Sequence, residues 1–355
     1  MSSPLHVALV GATGNLGPAV LTQLLAAGSG FKVTILARVG SGSKVKAVPP
    51  TTSATSTSTA SANTVSKTTG TASDSVTIKE VDYASHSSLV QALSSPPVDV
   101  VVCTLGWFPG FFETQKALID ASIEAGCVKR FLPSEFGNGA NANVRKLPLL
   151  FNDKSRTQEY LVETVEKAAA TVQKNNNKTD PGSEVLVPFS YTIINTGSFL
   201  DWQLELGFMV NLKDHTATLY DGGDVRCSAT RMVTIGEAVV RVLHNLDATK
   251  DRHVFVHDAA ITQNQLIRMA KKIDGNDKEW TTTSMSTADV ERNAYKALEE
   301  GDFMSATLGF ISRACWGQGF GQDFSDKLDN DLLGIPVTSE EEIESMMRDI
   351  MAKLL

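Results

Sequence analysis

Seven residues near the start of the chain, Gly11-Ala12-Thr13-Gly14-Asn15-Leu16-Gly17, constrain it more than any others. They follow an apolar β-rich run, Val7-Ala8-Leu9-Val10, and lead into a helical pattern over Leu16–Ala27. Each glycine in this G-x-x-G-x-x-G spacing has a mechanical reason. Gly11 permits a tight turn, Gly14 lets the backbone approach a pyrophosphate, and Gly17 lets the helix pack closely on the strand. The helix N-terminus then offers free N–H groups and a favourable dipole to phosphate. Gly11, Thr13, Gly14, Asn15, Leu16 and Gly17 are therefore the first candidate contacts to a dinucleotide.

The rhythm set by this unit continues. Lys32–Ala37, Val76–Val81, Val98–Thr104, Arg130–Pro133 and Tyr191–Asn195 read as further strands. Ser87–Leu93, Glu113–Ala125 and Ser155–Ala170 read as helices between them. Largely apolar strands separated by helices predict an α/β fold, a doubly wound parallel sheet of the Rossmann kind covered on both faces. We expect this domain to occupy residues 1–200. Thr234–Asn245 (helical) and His253–His257 (a short strand) lie in a segment, 234–258, expected to return to it. The rest of 201–355, with helical patterns at Gln263–Ile273, Ala288–Leu298 and Ser339–Leu355, is expected to form a smaller substrate-binding lobe. Between Thr51 and Ser73, 15 of 23 residues are Ser or Thr. Such a stretch buries too little apolar surface to offset its ordering entropy, so residues of about 40–75 read as a disordered insertion. Lys174–Gly182 reads as a shorter polar loop.

The end of the second strand bears on the choice of nucleotide. A site for NAD usually places Asp or Glu there to hold the ribose 2′-hydroxyl. This chain has Arg38, with Lys44 and Lys46 just beyond. A guanidinium matches a 2′-phosphate through paired charge-assisted bonds, which favours NADPH. The net charge of -8 argues against nucleic acid as a partner. No apolar run reaches the length of a membrane span, and no basic segment precedes Leu5–Val10 as in a secretory signal. Cys103, Cys127, Cys227 and Cys315 form no C-x-x-C pair. A reduced, cytoplasmic protein with buried apolar cysteines is expected, binding a small-molecule substrate as a monomer or homodimer.

Further residues carry a resemblance to a known family. Val7-Ala8-Leu9-Val10-Gly11, Val33–Arg38 and Val98-Asp99-Val100-Val101-Val102 begin it. It is strongest at Glu124-Ala125-Gly126-Cys127-Val128-Lys129-Arg130-Phe131-Leu132-Pro133-Ser134-Glu135-Phe136-Gly137, followed by Phe151-Asn152-Asp153-Lys154 and Tyr191-Thr192-Ile193-Ile194-Asn195-Thr196-Gly197-Ser198-Phe199. These segments resemble the isoflavone reductase branch of the NmrA-like family, the atypical short-chain dehydrogenases, over about two thirds of the chain. The resemblance implies that Lys154 is catalytic and binds the nicotinamide ribose. It implies that Thr104, Leu105 and Gly106 border the cofactor and that Pro133, Ser134 and Phe136 lie beside the nicotinamide. Three features depart from the family pattern: the Ser/Thr insertion replaces a helical segment, Ser198 stands where plant members commonly carry an aromatic residue, and Trp107-Phe108-Pro109-Gly110-Phe111-Phe112 replaces a more polar stretch. The insertion and the aromatic segment resemble fungal members, some of which serve secondary metabolism.

The chemistry follows from what the chain has and lacks. Its five tyrosines are followed four positions later by Ser87, Thr164, Asn195, Asp224 and Glu299, so the Tyr-x-x-x-Lys pair of typical short-chain dehydrogenases is missing. A partly desolvated lysine can donate a proton near neutrality; the resemblance, through its position after Pro133–Gly137, makes Lys154 the expected proton donor rather than an ordinary solvated lysine. Trp107, Phe108, Phe111, Phe112, Phe199 and Trp202 are candidates for an aromatic wall around a flat substrate, or for ordinary core. His253 and His257, on a strand, are too far apart to share a metal ion, and none is expected. Ser134 lacks a G-x-S-x-G elbow and is not a hydrolase nucleophile. The expected activity is NADPH-dependent reduction of a small aromatic or polyketide-like carbonyl or enone. The alternative is a non-catalytic NADP(H)-sensing regulator of the NmrA type, members of which generally lack the lysine.

Overall fold

The computed structural model describes residues 3–46, 76–176, 189–275 and 279–354. The Ser/Thr-rich stretch Thr51–Ser73 lies outside the described residues. The first half alternates strand and helix: β1 Leu5–Val10, α1 Gly17–Ala26, β2 Phe31–Arg38, α2 Gly42–Lys46, β3 Val76–Val81, α3 His86–Ser94, β4 Val100–Cys103, α4 Phe111–Glu124 and β5 Arg130–Leu132. Then come α5 Ala142–Arg145, α6 Leu150–Asn176 and β6 Ser190–Asn195. Beyond lie β7 Ser198–Phe199, α7 Leu200–Glu205, β8 Thr216–Tyr220, β9 Cys227–Thr230, α8 Met232–His244 and β10 Arg252–Phe255. The chain finishes with β11 Ala259–Ile261, α9 Gln263–Ile273, β12 Thr281–Met285, α10 Thr287–Glu299, α11 Phe303–Trp316, α12 Asn330–Leu333 and α13 Glu340–Leu354.

Seven strands form one sheet in the order β10-β6-β5-β4-β1-β2-β3, every pairing parallel. Alternation along each strand supplies both faces. Val7 and Leu9 join Val33, Ile35, Val100 and Val102 under α1 and α8. Ala8 and Val10 join Leu36, Val101, Cys103 and Phe131 under α3, α4 and α6. This is the doubly wound Rossmann arrangement. Strand order reverses between β1 and β4, and the crevice at such a switch point is where α/β sheets bind ligands.

Chain from beyond residue 200 contributes to the sheet as well. The strand β10 pairs with β6, from Arg252↔Thr192 to Phe255↔Asn195, and α8 packs with α1 on the β1–β2 face. A second apolar core joins α7, α9, the end of α11 and α13 around β8 and β9. A third joins α5, α10 and the middle of α11.

Several boundaries differ from the sequence reading. The helix α6 starts at Leu150 rather than Ser155, straight after Leu149 with φ +57, so Lys154 stands within the helix. It also runs to Asn176, which makes the start of the expected polar loop helical; the remainder of that loop lies outside the described residues. The helix α4 begins at Phe111 and takes Phe111 and Phe112 into its first turn. The last strand of the large sheet stops at Phe255, short of His257. The insertion leaves a five-residue helix, α2, in the segment expected to have lost its helix.

Arg130 ties the β5–β6 half of the sheet together. It is 4% exposed. Its Nε donates to Ser190 Oγ at 2.8 Å, Nη1 to Thr192 Oγ1 at 2.7 Å and Nη2 to the Leu246 carbonyl at 2.6 Å. Arg130→Met keeps much of the side-chain length but removes all three donors and leaves the Leu246 carbonyl with only a long 3.5 Å bond from Thr249 Oγ1. It is expected to cost about 3 kcal/mol, read as a lower urea midpoint at unchanged slope.

Candidate active site

The glycine turn takes its shape from the contacts around it. Gly11 has φ +84, and a Cβ there would lie 2.7 Å from the Thr104 carbonyl carbon and oxygen. Gly14 N–H donates to the Gly11 carbonyl at 2.9 Å. Thr104 Oγ1 donates to the Val10 carbonyl at 2.8 Å, locking the β4 loop to β1. Thr13, Gly14 and Asn15 are exposed at the tip of the turn, while Leu16 and Gly17 are buried. The N-cap of α1 is Leu16, which caps nothing with its side chain, and no acidic residue stands in the first turn. Uncapped N–H groups behind a turn open to solvent fit an anionic pyrophosphate.

Arg38 closes β2 and is exposed, with Lys44 exposed on α2; Lys46 ends that helix. No carboxylate among the described residues forms an ion pair with Arg38. A residue that the sequence reading missed stands beside them. Glu80, on β3 opposite Ala37, accepts from Gly40 N–H at 3.1 Å and Gly42 N–H at 2.9 Å. These bonds hold its carboxyl below the usual range and order the turn after β2. Strand register, rather than any local motif, brings it there.

A cleft of about 750 Å³ opens beside Gly14–Leu16 at the C-terminal ends of β1, β4 and β5. Gly106, Trp107, Phe108 and Phe111 line one side, and Phe199 and Trp202 another. Phe108 and Phe111 meet edge to face at 6.2 Å, as do Phe199 and Trp202 at 6.2 Å. Trp107 Nε1 donates to Asp153 at 3.0 Å. Phe112 is not part of this wall: it packs edge on against Tyr160 and under the Arg156 guanidinium. The cleft is completed by Phe303, Met304 and Leu308 of α11, a helix absent from the sequence reading. Ser198 also lines it, with its hydroxyl 3.3 Å from both the Cys227 and Cys315 sulfurs. No tyrosine is among the described residues lining the cleft.

The loop after β5 forms the floor. Pro133 is buried behind it and does not face the cleft. Ser134 is held from two sides, its N–H donating to Gln115 Oε1 at 2.8 Å and its hydroxyl to the Leu105 carbonyl at 2.7 Å. The Gln115 amide donates to Thr157 at 3.3 Å, and Thr157 to the Asp153 carbonyl at 2.9 Å. These bonds fix α4, the floor loop and α6 in register. Phe136 is buried at φ +39, left-handed backbone that a bulky residue adopts only where its surroundings impose it.

Lys154 projects from α6 onto this floor, and Nζ donates to the Glu135 carbonyl. Lys154 is half-buried; burial of the ammonium end lowers its pKa and the Glu135 charge opposes that fall. In the sequence Glu135 is marked only as one residue of the Pro133–Gly137 run. The residue is 2% exposed, and burial pushes its carboxyl up to about 7, against the pull of Lys154, Gln158 and Arg145. Burial likewise pushes the Cys103 thiol up to about 12, leaving it unreactive beneath the floor. His253 bonds Asn195 and His257 bonds Ser228, each within its own surroundings.

A model of the NmrA-like family matches residues 5–299. The oxidoreductase aprR of Aspergillus flavus is 32% identical over 251 residues, 69% of this chain and 75% of that protein. The isoflavone reductase of Medicago sativa is 27% identical over 61% of this chain and 60% of its own length. Among solved structures, AtPrR2 with NADP+ and (+)pinoresinol shares the fold at a TM-score of 0.70 and 20% identity, covering 99% of this chain and 100% of that one. The family model spans the sheet, the glycine turn, the floor loop and Lys154 together: this chain belongs to the NmrA-like family, in its isoflavone reductase-like branch.

Proposed function

We propose that this chain is an NADPH-dependent reductase of a small aromatic or polyketide-like carbonyl or enone, with Lys154 as the proton donor. The observation that carries the reading is the convergence of three parts on one cleft: an uncapped glycine turn, paired aromatic rings, and a half-enclosed lysine whose ammonium faces the floor. Oxidoreductase and isoflavone reductase relatives support it, as does the likeness to structures holding NADP+. Bound at the turn, NADPH would supply the hydride. Gly11–Gly17 would hold its pyrophosphate, with Arg38 and Lys44 at the 2′-phosphate and Lys154 at the nicotinamide ribose. The aromatic rings orient a flat substrate and exclude water. Lys154 gives its proton to the substrate oxygen as that oxygen gains charge.

The test is an NADPH titration followed by a panel of aromatic carbonyls and enones, with NADPH oxidation as the readout. Oxidation with any of them supports the reductase; binding without oxidation against the whole panel supports a nucleotide sensor. Arg38→Ala separates the nucleotides. Loss of charge-assisted bonds to a 2′-phosphate should weaken NADPH about 10- to 100-fold and leave NADH nearly unaffected. Equal loss for both nucleotides would remove Arg38 from the site.

A further inference from the structure

We propose that Glu135 is a positioning residue, its buried carboxylate keeping Lys154 protonated inside the cleft. Three observations converge on it. The floor loop presents both ends of Glu135 to α6: its carbonyl accepts from Lys154 Nζ, and its Oε2 accepts from Gln158 Nε2 at 3.0 Å. Lys154 and Gln158 stand four residues apart, one helical turn, so a single face of α6 holds this residue twice. The second carboxylate oxygen, Oε1, is buried with no hydrogen-bond partner among the described residues, and Glu135 lines the cleft. An unpartnered carboxylate oxygen in a low-dielectric site is costly unless a cation balances it.

The groups facing this carboxylate are few. Lys154 and Gln158 come from α6 and Arg145 from α5. Arg145 is itself engaged, with Nε on Ser155 at 3.1 Å and Nη2 on Glu159 at 2.8 Å. It also acts on His253, whose pKa burial lowers to about 4, so that ring carries no charge near neutrality. Among the described residues, Lys154 is thus the cation facing it that forms no ion pair with another carboxylate. Burial alone lowers its pKa. The Glu135 charge opposes this, and the coupling is mutual, each charge favouring the other.

This inference rests on the reductase reading only for its effect on turnover, so the test reads Lys154 directly. Acylation of Nζ by acetic anhydride is followed by mass spectrometry across pH in the wild type, Glu135→Gln and the exposed control Glu163→Gln. In Glu135→Gln the reactivity midpoint of Lys154 should fall by about one pH unit, and the alkaline limb of kcat should fall with it, while the control moves neither. Glu135→Asp, which keeps the charge, should recover most of the shift. A Lys154 midpoint unchanged in folded Glu135→Gln overturns the proposal and leaves the reductase reading standing. A shifted midpoint in a protein that turns over nothing does the reverse. If Glu135→Gln does not fold, Lys154→Met decides: the carbon-13 signal of the Glu135 carboxyl should titrate at higher pH, and no change overturns the coupling.

Discussion

Lys154→Ala is expected to lower kcat about 10²- to 10⁴-fold, the usual worth of a positioned acid, while NADPH still binds measurably. In the proposed reaction an oxygen gains negative charge inside a cleft walled by Trp107, Phe111, Phe199 and Trp202, where few waters can stabilise it. An ammonium group already turned to that floor by the Glu135 carbonyl meets the charge without moving. Lys154→Arg should not rescue the reaction, because a guanidinium keeps its proton at any working pH. Single-turnover rates with NADPH in excess, and a separate NADPH titration, check both halves. Full activity in the alanine variant would sink the assignment.

The second large effect is expected at Gly17. A Cβ there would lie 2.2 Å from the Gly11 carbonyl oxygen, 2.6 Å from Ala12 Cα and 2.8 Å from Ala12 C, all backbone atoms that cannot turn aside. Gly17→Ala must push α1 off the turn. A cost of about 1–3 kcal/mol in stability is expected, together with a loss of NADPH affinity beyond tenfold as the N–H groups of the helix are displaced. Gly14→Ala makes the contrast. Its Cβ would sit 3.3 Å from the Gly11 carbonyl oxygen and 3.7 Å from that of Thr104, so the fold should survive. Affinity alone should fall, because the methyl stands where pyrophosphate would approach. Thermal melts with and without NADPH separate the two, and equal melting of both variants without nucleotide would contradict the packing argument.

What was legible in the sequence shares one property: the information is local. Val7–Val10 and Gly11–Gly17 announce strand, turn and helix within a dozen residues, and the parallel sheet follows from repeating that rhythm. Gln263–Ile273 is read to the residue from its helical pattern alone, and the structure adds a Thr262–Gln265 capping box at its start. Pairings fixed only by tertiary structure escaped. Glu80 reaches the Gly40 and Gly42 amides from a different strand, and nothing near either residue advertises it. The helix α11 escaped because Gly309 interrupts Phe303–Trp316 and the run is apolar on more than one side: Leu308 faces the cleft while Phe310 and Trp316 are wholly enclosed. Phe112 was misplaced because it adjoins Phe111 on a helix, where neighbouring side chains point about 100° apart. Glu135 was in plain view, yet only the fold shows it buried against Lys154 and Gln158, two residues one turn apart on α6.

The sheet order carries a consequence for how this molecule can be divided. Because β10 is laid along β6, and α8 on α1, after the chain has built α7, β8 and β9 elsewhere, no single cut yields a finished nucleotide-binding half. A piece ending at residue 200 would bare the N–H and C=O groups along one side of Ser190–Asn195 and the apolar face of α1 that α8 covers. An open, apolar sheet edge of that kind recruits other chains. Nor can the remainder swing on one hinge, since the connections on both sides of α8 and β10 would have to flex in concert. Exchange of substrate-facing parts between relatives, whether by evolution or by design, therefore has to leave 232–255 with the glycine turn it supports.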